Sequence, residues 1–260
     1  MKTDRVSING VDLAYARRGT GASLLLIHGF PLDRTCWNEL ALLLEDEFDL
    51  ILPDLRGFGQ SGTVESIYSM ADIASDLAGL LDHLKIEQAF VAGHSMGGYV
   101  ALAFAHAHPD RVRGLALVSS QALPDAPERK QGRYKTAADV AEQGVRVVVE
   151  VMTSKLSSDP RVQAFVHEAM ERQPASGMIG ALKAMAERAD ATSWLPDFKF
   201  PLVIVHGEAD ALIPVARGRD MKTALPSAHY VELKGLGHMP MMENAQAVAE
   251  ALLRLKRWGS

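Results

Sequence analysis

The fold of this 260-residue chain is decided by the decapeptide Ala89-Phe-Val-Ala-Gly-His-Ser-Met-Gly-Gly98. Its first four residues form the short apolar run of a buried strand, and the Ala-rich residues 98–107 predict a helix. Between them, Gly93-His-Ser-Met-Gly97 fits G-x-S-x-G, a turn that holds its serine on a strained elbow. We expect a Cβ at Gly93 or Gly97 to collide with neighbouring backbone. The alternative interpretation is an ordinary Gly-rich turn with a chance serine.

Apolar runs without polar alternation precede and follow this turn, at residues 23–27, 50–52, 115–118 and 202–205, and residues 229–233 predict a last strand. Helical patterns lie between most of these segments. Strands of this kind are buried on both faces, in a parallel sheet covered by helices. Near the beginning of the chain, Asn9-Gly10 between two apolar runs predicts a hairpin. The sequence therefore predicts an α/β fold with a mostly parallel, doubly wound sheet and an N-terminal antiparallel hairpin.

Residues 121–196 contain no convincing strand. Helical patterns cover residues 128–142, 145–156, 160–172 and 177–189 instead. We therefore expect an inserted helical cap at 121–196 and a core formed by 1–120 and 197–260. Methionine side chains adapt to irregular apolar surfaces. Four of them either line a pliable cavity or pack as ordinary core: Met152, Met170, Met178 and Met185.

Composition excludes several classes of partner. The net charge of −5 and the pI of about 6.0 argue against binding to nucleic acid or to an anionic membrane, which favour a basic face. Cys36 is the single cysteine, so no intramolecular disulfide forms, and a reducing cytoplasm suits this. The first ten residues lack the apolar region of a signal peptide, and no apolar run has the length of a membrane span. We expect a cytoplasmic location.

With these motifs the chain resembles α/β-hydrolases that carry a helical cap, in the carboxylesterase and 3-oxoadipate enol-lactonase-like branch. The resemblance extends from His28-Gly-Phe-Pro31 to His238-Met-Pro240. Its motifs follow the family order Ser…Asp…His. The resemblance implies a serine hydrolase that acts on small carboxylic esters through an acyl-enzyme.

The resemblance implies Ser95 as the nucleophile, His238 as its base and Asp210 as the acid that orients the histidine. Glu208, close to Asp210 in Gly207-Glu-Ala-Asp210, is the alternative acid. The site after residues 115–118, where some relatives carry the acid, holds two serines here. The implied oxyanion hole uses the backbone N–H groups of Met96 and Phe30.

The substrate pocket is expected to be apolar and to take short to medium acyl chains. Besides Phe30, Met96 and cap side chains, it should include Leu32, Leu123, Leu212 and Met239. We expect no cofactor and no metal ion, and the expected partner is a small-molecule ester. The sequence does not specify an oligomeric state.

The same residues are also compatible with other functions. The same triad opens lactones and catalyses perhydrolysis within the family, and some members act as small-molecule receptors with slow turnover. Gly57-x-Gly59-x-x-Gly62 also matches the dinucleotide fingerprint, but that fingerprint should open a helix directly. Residues 63–69 intervene here, so we favour a structural loop that borders the site.

Overall fold

The computed structural model describes residues 2–64 and 67–257, and its centre is an eight-stranded sheet. The strands follow the spatial order β1-β2-β4-β3-β5-β6-β7-β8. Their bounds are β1 Asp4–Ile8, β2 Val11–Gly19, β3 Ala22–Ile27, β4 Phe48–Pro53, β5 Ala89–His94, β6 Val112–Val118, β7 Leu202–Gly207 and β8 His229–Leu233. The strand β5, which leads into the elbow, lies near the middle of this sheet.

The sheet is antiparallel only at its N-terminal edge. β1 pairs with β2 through a hairpin in which Ile8 faces Val11, and β2 pairs antiparallel with β4. Asn9 and Gly10 both have positive φ angles, of 51° and 79°, as a two-residue hairpin turn of type I′ requires. The remaining pairs, from β4 to β8, are parallel. The predicted fold class is confirmed.

Helices cover both faces of the sheet. They are α1 Asn38–Leu44, α2 Met70–His83, α3 Met96–Ala107, α4 Pro127–Gln143, α5 Arg146–Leu156, α6 Pro160–Glu171, α7 Ala175–Ala186, α8 Ala216–Ala224, α9 Pro240–Glu243 and α10 Ala245–Leu253. Buried side chains form two hydrophobic clusters, one with α2 and α3 and the other with α1 and α10. No helix in the described ranges is long and apolar enough to cross a membrane.

The four helices α4 to α7 lie between β6 and β7 in the chain, where the sequence predicted a helical insertion. Polar contacts join this insertion to the rest of the molecule. Gln173 accepts a hydrogen bond from the N–H of Gly59 and donates one to Asp33. The backbones of Gly57 and Gly177 approach so closely that a Cβ on either glycine would overlap the backbone of the other.

Helix α8 was not predicted. Its sequence, ARGRDMKTA, is polar, and only Gly218 and Met221 are buried. An amphipathic helix shows apolar residues three and four positions apart, and here the one large apolar side chain is Met221. Its helical state therefore depends on packing against β7 and β8.

Candidate active site

Ser95 occupies the turn between β5 and α3 with φ 52° and ψ −115°, a conformation that non-glycine residues rarely adopt. The flanking glycines make this turn possible. A Cβ at Gly93 would lie under 3.0 Å from the carbonyl oxygen of Gly97, and one at Gly97 under 3.0 Å from that of Ile27. The predicted collision is confirmed, and the serine is partly exposed at the end of the strand.

Two hydrogen bonds fix the backbone of this elbow. The N–H of Ser95 donates to the carbonyl oxygen of Val118 at 2.9 Å. The Ser120 hydroxyl donates to the carbonyl oxygen of Ser95 at 2.8 Å. Sequence reasoning noted Ser120 only as a residue where relatives carry an acid. Ser120 follows β6, and β6 is the neighbour of β5 in the sheet. This position was the available signal that Ser120 could bond to the elbow.

His238 and Asp210 meet in the loops after β8 and β7, next to His94, the residue before Ser95. The Nδ1 of His238 lies 2.7 Å from Oδ2 of Asp210, and both side chains are fully buried. The other carboxylate oxygen of Asp210 accepts hydrogen bonds from the N–H groups of Leu212 and Ile213, at 2.8 and 2.9 Å. Burial alone would raise the pKa of Asp210. Electrostatic interaction with the His238 ring and hydrogen bonds from His206 and His238 outweigh burial and hold this pKa far below its ordinary value.

Two other titratable side chains close to Asp210 have different surroundings. Glu208 is exposed, and its carboxylate accepts a hydrogen bond from the N–H of Gly235. The buried His206 has its Nε2 2.9 Å from the carbonyl oxygen of Ile213 and 3.4 Å from Oδ2 of Asp210. His206 therefore supports the acid loop.

His94, the residue before the serine, holds the histidine loop. Its Nε2 lies 2.8 Å from the carbonyl oxygen of His238, and the two rings are 4.9 Å apart. Burial and electrostatic interaction with the neighbouring His238 ring lower the pKa of His94 to about 3. His94 is therefore neutral across the physiological range and donates to that carbonyl oxygen from Nε2.

The two predicted oxyanion donors are the backbone N–H groups of Met96, directly after the serine, and of Phe30, in the loop after β3. Met96 is the first residue of α3, where backbone N–H groups have no partner inside the helix. Phe30 follows β3, the strand next to β5, and lines the same cavity as Ser95. Backbone donors at these two strand ends suit a negative charge that develops next to the serine.

A cavity of about 400 Å³, which we call the Ser95 cavity, opens over the elbow. Its apolar lining comes from the core and from the inserted helices, and includes Phe30, Met152, Leu182, Met185 and Leu212. Tyr99, one turn after Ser95 on α3, also lines the cavity, and sequence reasoning did not identify it. Its spacing of four residues from the serine was the available signal.

Four residues expected in the pocket are not among the residues that line the Ser95 cavity: Leu32, Met96, Leu123 and Met239. The Met96 side chain is 0% exposed and packs in the hydrophobic cluster that contains α2 and α3. Leu32 and Met239 are 0% exposed and pack in the hydrophobic cluster that contains α1 and α10. Leu123 lines a separate cavity beside α8. Among the four methionines, Met152 and Met185 line the Ser95 cavity, whereas Met170 and Met178 are core residues. The direction of each side chain decides whether it lines the cavity or packs in the core, and the motifs next to it in the sequence do not specify that direction.

The glycine-rich loop after β4 packs around a buried carboxylate. Asp54 accepts hydrogen bonds from the N–H groups of Arg34 and Gln60, at 2.9 and 2.8 Å, and is ion-paired with the Arg34 guanidinium. The next helix, α2, begins only at Met70. The loop therefore does not open a helix as the dinucleotide fingerprint does. Within the described ranges, no three His, Cys, Asp or Glu side chains gather as ligands for a metal ion.

Comparison with known proteins gives a consistent result. A sequence profile described as "alpha/beta hydrolase fold" matches residues 22–245. An esterase from Thermogutta terrifontis, solved with malate bound, is 36% identical and superposes with a TM-score of 0.94, over 99% of this chain and 98% of that chain. An enol-lactonase from Burkholderia xenovorans LB400 is 26% identical, with a TM-score of 0.90 over 98% and 100% of the two chains. The pimeloyl-[acyl-carrier protein] methyl ester esterase of Vibrio vulnificus (strain YJ016) is 28% identical over 93% of this chain and 97% of that protein.

Proposed function

The chain belongs to the α/β-hydrolase fold family, and on that premise we propose that it is a serine hydrolase of small carboxylic esters that works without a cofactor. Its esterase and enol-lactonase relatives support hydrolase activity. The observation that carries the finer proposal is the 2.7 Å contact between His238 and Asp210, in a pair whose His238 is also bonded to His94 of the strained Ser95 elbow. A serine hydroxyl is a weak nucleophile unless such a base removes its proton.

In the proposed reaction, Nε2 of His238 takes the proton of the Ser95 hydroxyl as its oxygen attacks the ester carbonyl carbon. The carbonyl oxygen of the ester becomes an oxyanion held by the N–H groups of Met96 and Phe30. Collapse of this intermediate expels the alcohol, which receives the proton from His238. Water then attacks the acyl-enzyme with His238 again as base, His238 returns the proton to the Ser95 oxygen as the acyl–oxygen bond breaks, and the carboxylic acid leaves.

Asp210 acts through the histidine in this scheme. Because its carboxylate accepts a hydrogen bond from Nδ1–H, the other ring nitrogen is left unprotonated and available to Ser95. The low pKa of Asp210 keeps the carboxylate charged throughout the working pH range. A fixed negative charge stabilises the imidazolium that forms during attack.

We assign residues 121–196 as a cap domain over a core of 1–120 and 197–260. Helices α4, α5 and α7 contribute to the wall of the Ser95 cavity, so the cap would define substrate size. A cavity of about 400 Å³ lies at the small end of ligand pockets, which measure roughly 300–1,000 Å³. This size supports short to medium acyl chains.

Lactone hydrolysis is the second candidate. It is favoured by the similarity, over nearly the full length, to the enol-lactonase from Burkholderia xenovorans. A lactone is a cyclic ester, so its carbonyl would use the same nucleophile and the same oxyanion donors. The difference would lie in the leaving group, which stays attached to the acyl chain after Ser95 attacks.

A series of p-nitrophenyl esters from acetate to palmitate, with Ser95→Ala measured alongside, tests the proposal. We expect turnover that depends on Ser95 and is fastest for short to medium chains. Turnover of lactones in place of these esters would favour the second candidate. Equal activity in Ser95→Ala, or turnover of neither class, would refute the proposed function.

A further inference from the structure

Three arginines surround one carboxylate in the cap. The Asp125 side chain is 0% exposed and is ion-paired with Arg129 at 3.4 Å, with Arg188 at 2.9 Å, and with Arg133. Burial alone would raise the pKa of Asp125, but Arg133 and Arg188 lower it, so the carboxylate is charged. Three positive charges against one negative charge leave this group, which we call the Asp125 cluster, with a net charge of +2.

Much of that excess charge is out of water. The side chains of Arg133 and Arg188 are 13% and 4% exposed. Buried charges are normally paired, because the loss of hydration is costly. A cluster with more buried guanidinium groups than carboxylates therefore favours the binding of an anion that the chain itself does not supply.

The cluster lies against the proposed substrate site. Arg129 and Arg133 line the Ser95 cavity, and Arg188 lines an adjacent cavity of about 200 Å³. Tyr99 lines both cavities. The guanidinium carbon of Arg188 lies 4.2 Å from the centre of the Tyr99 ring. An anion bound to the cluster would thus lie in the same space as the ester.

Several buried polar atoms that the structure describes in this region lack a hydrogen-bond partner, and besides Oδ1 of Asp125 they include donors. In the described part of the chain, Nε of Arg188 and the hydroxyl of Tyr99 are buried and have no hydrogen-bond partner. The Nη atoms of Arg129 reach only the carbonyl oxygen of Leu212, at 3.5 Å, which is the limit of a hydrogen bond. A buried donor without an acceptor is unfavourable by about 1–3 kcal/mol, so these groups are suited to acceptors on a ligand.

The acidic residues nearby are already engaged. Asp139 also lines the Ser95 cavity, but it is ion-paired with Lys135 at 2.7 Å. It is ten residues from Arg129 on α4, a separation of roughly 15 Å along a helix. Glu187 is bonded to Lys130 and Tyr134. These carboxylates do not neutralise the Asp125 cluster.

We propose that the substrate is an ester with a free carboxylate on its acyl part, and that Arg129 and Arg133 bind this carboxylate in the Ser95 cavity. The inference rests on the proposed esterase function and adds the charge of the substrate to it. Guanidinium groups suit this role because they bind carboxylates in a planar, bidentate geometry.

The test compares two esters that differ only in the end of the acyl chain: mono(4-nitrophenyl) adipate, which is an anion at pH 7.5, and 4-nitrophenyl hexanoate, which is neutral. Spontaneous hydrolysis is subtracted, and the readout is the ratio of their kcat/KM values. We expect the wild-type protein to prefer the adipate. Arg129→Gln should reduce the ratio by about tenfold, the effect of one charge-assisted hydrogen bond, and Arg129→Lys should retain part of it.

Arg172→Gln is the matched control, because Arg172 is a half-exposed cap arginine bonded to Glu168 and does not line the cavity. It should keep the wild-type ratio. High salt should weaken the preference for the adipate, since salt screens charges that solvent reaches. If hexanoate is hydrolysed through Ser95 but adipate is not preferred, or if Arg129→Gln keeps the wild-type ratio, the inference is wrong and the proposed function stands. If neither ester is cleaved, both are wrong.

Discussion

Nδ1 of His238 lies 2.7 Å from Oδ2 of Asp210, although 28 residues separate them in the chain. Asp210 follows β7 and His238 follows β8, and these two strands are parallel neighbours. Their carboxyl ends therefore meet at the same edge of the sheet as the Ser95 elbow. The geometry at this edge supports the role proposed for each residue, and it makes the pair the first target for mutation.

Asp210→Asn should lower kcat by about 10⁴-fold, because an amide N–H₂ facing the ring would favour the wrong histidine tautomer. Hydrolysis of p-nitrophenyl butyrate measures the loss, and circular dichroism checks the fold. Glu208→Gln is the control, since that exposed side chain contacts the Gly235 N–H. A larger loss for Glu208→Gln than for Asp210→Asn would make Glu208 the acid.

Gly97→Ala should destabilise the protein strongly, by about 3 kcal/mol or more, because its Cβ would overlap the backbone of Ile27 and the elbow has no room to shift. Gly132→Ala is the same chemical change at an exposed site in α4, where a Cβ meets nothing within 4 Å. That variant should gain about 0.5–1 kcal/mol from helix propensity. Urea unfolding compares the two, and equal effects would show that the elbow is not sterically tight.

His94 should make the protein less stable in acid. Its folded pKa, about 3, is below the ordinary value of 6.5, so the unfolded state takes up the proton first as the pH falls. Stability from this group is complete above about pH 6.5 and is lost as the pH falls from there toward 3. Between pH 7.5 and 5.0 one such histidine accounts for about 2 kcal/mol of lost unfolding free energy.

His94→Gln keeps a donor for the His238 carbonyl oxygen but does not titrate. We therefore expect its unfolding free energy to fall about 2 kcal/mol less than that of the wild-type protein over the same pH interval. Chemical denaturation at both pH values measures this difference. Burial also lowers the pKa of His28, which is present in both proteins, so its effect cancels in the comparison. An identical pH dependence in the two proteins would contradict a neutral buried His94.

Phe30→Ala should change substrate choice more than catalytic power. The Phe30 side chain lines the Ser95 cavity and packs edge-on against Phe58, whereas the proposed oxyanion donor is its backbone N–H. Removal of the ring enlarges the cavity, so the preferred p-nitrophenyl ester should shift toward longer acyl chains. A uniform loss of rate across the whole series would instead indicate that the mutation disturbs the oxyanion hole.

The parts of this account that sequence predicts best depend on local pattern. Buried strands, the hairpin at Asn9-Gly10 and the elbow at Ser95 each follow from residues within a few positions of one another. The motif order placed Asp210 and His238 after neighbouring strands, and the structure brings their side chains together. The assignment of Ser95, His238 and Asp210 as a catalytic triad stays a proposal, as does the cytoplasmic location.

The parts that sequence did not predict depend on packing between distant segments. The Arg129 guanidinium contacts the carbonyl oxygen of Leu212, 83 residues away in the sequence, and no local pattern predicts that contact. Leu32 and Met239 were expected in the pocket because they adjoin site motifs, but their side chains point into the core. The polar helix α8 lacks the periodicity that predicts helices.

The most direct test of the central claim is covalent labelling with a fluorophosphonate, which reacts with an activated serine. The labelled protein is digested, the modified peptide is mapped by mass spectrometry, and p-nitrophenyl butyrate hydrolysis is followed during labelling. We predict one adduct per chain, on Ser95, with activity lost in proportion to labelling and no adduct in Ser95→Ala. Hydrolysis that persists in fully labelled protein, or an adduct at another serine that abolishes activity, would contradict the account.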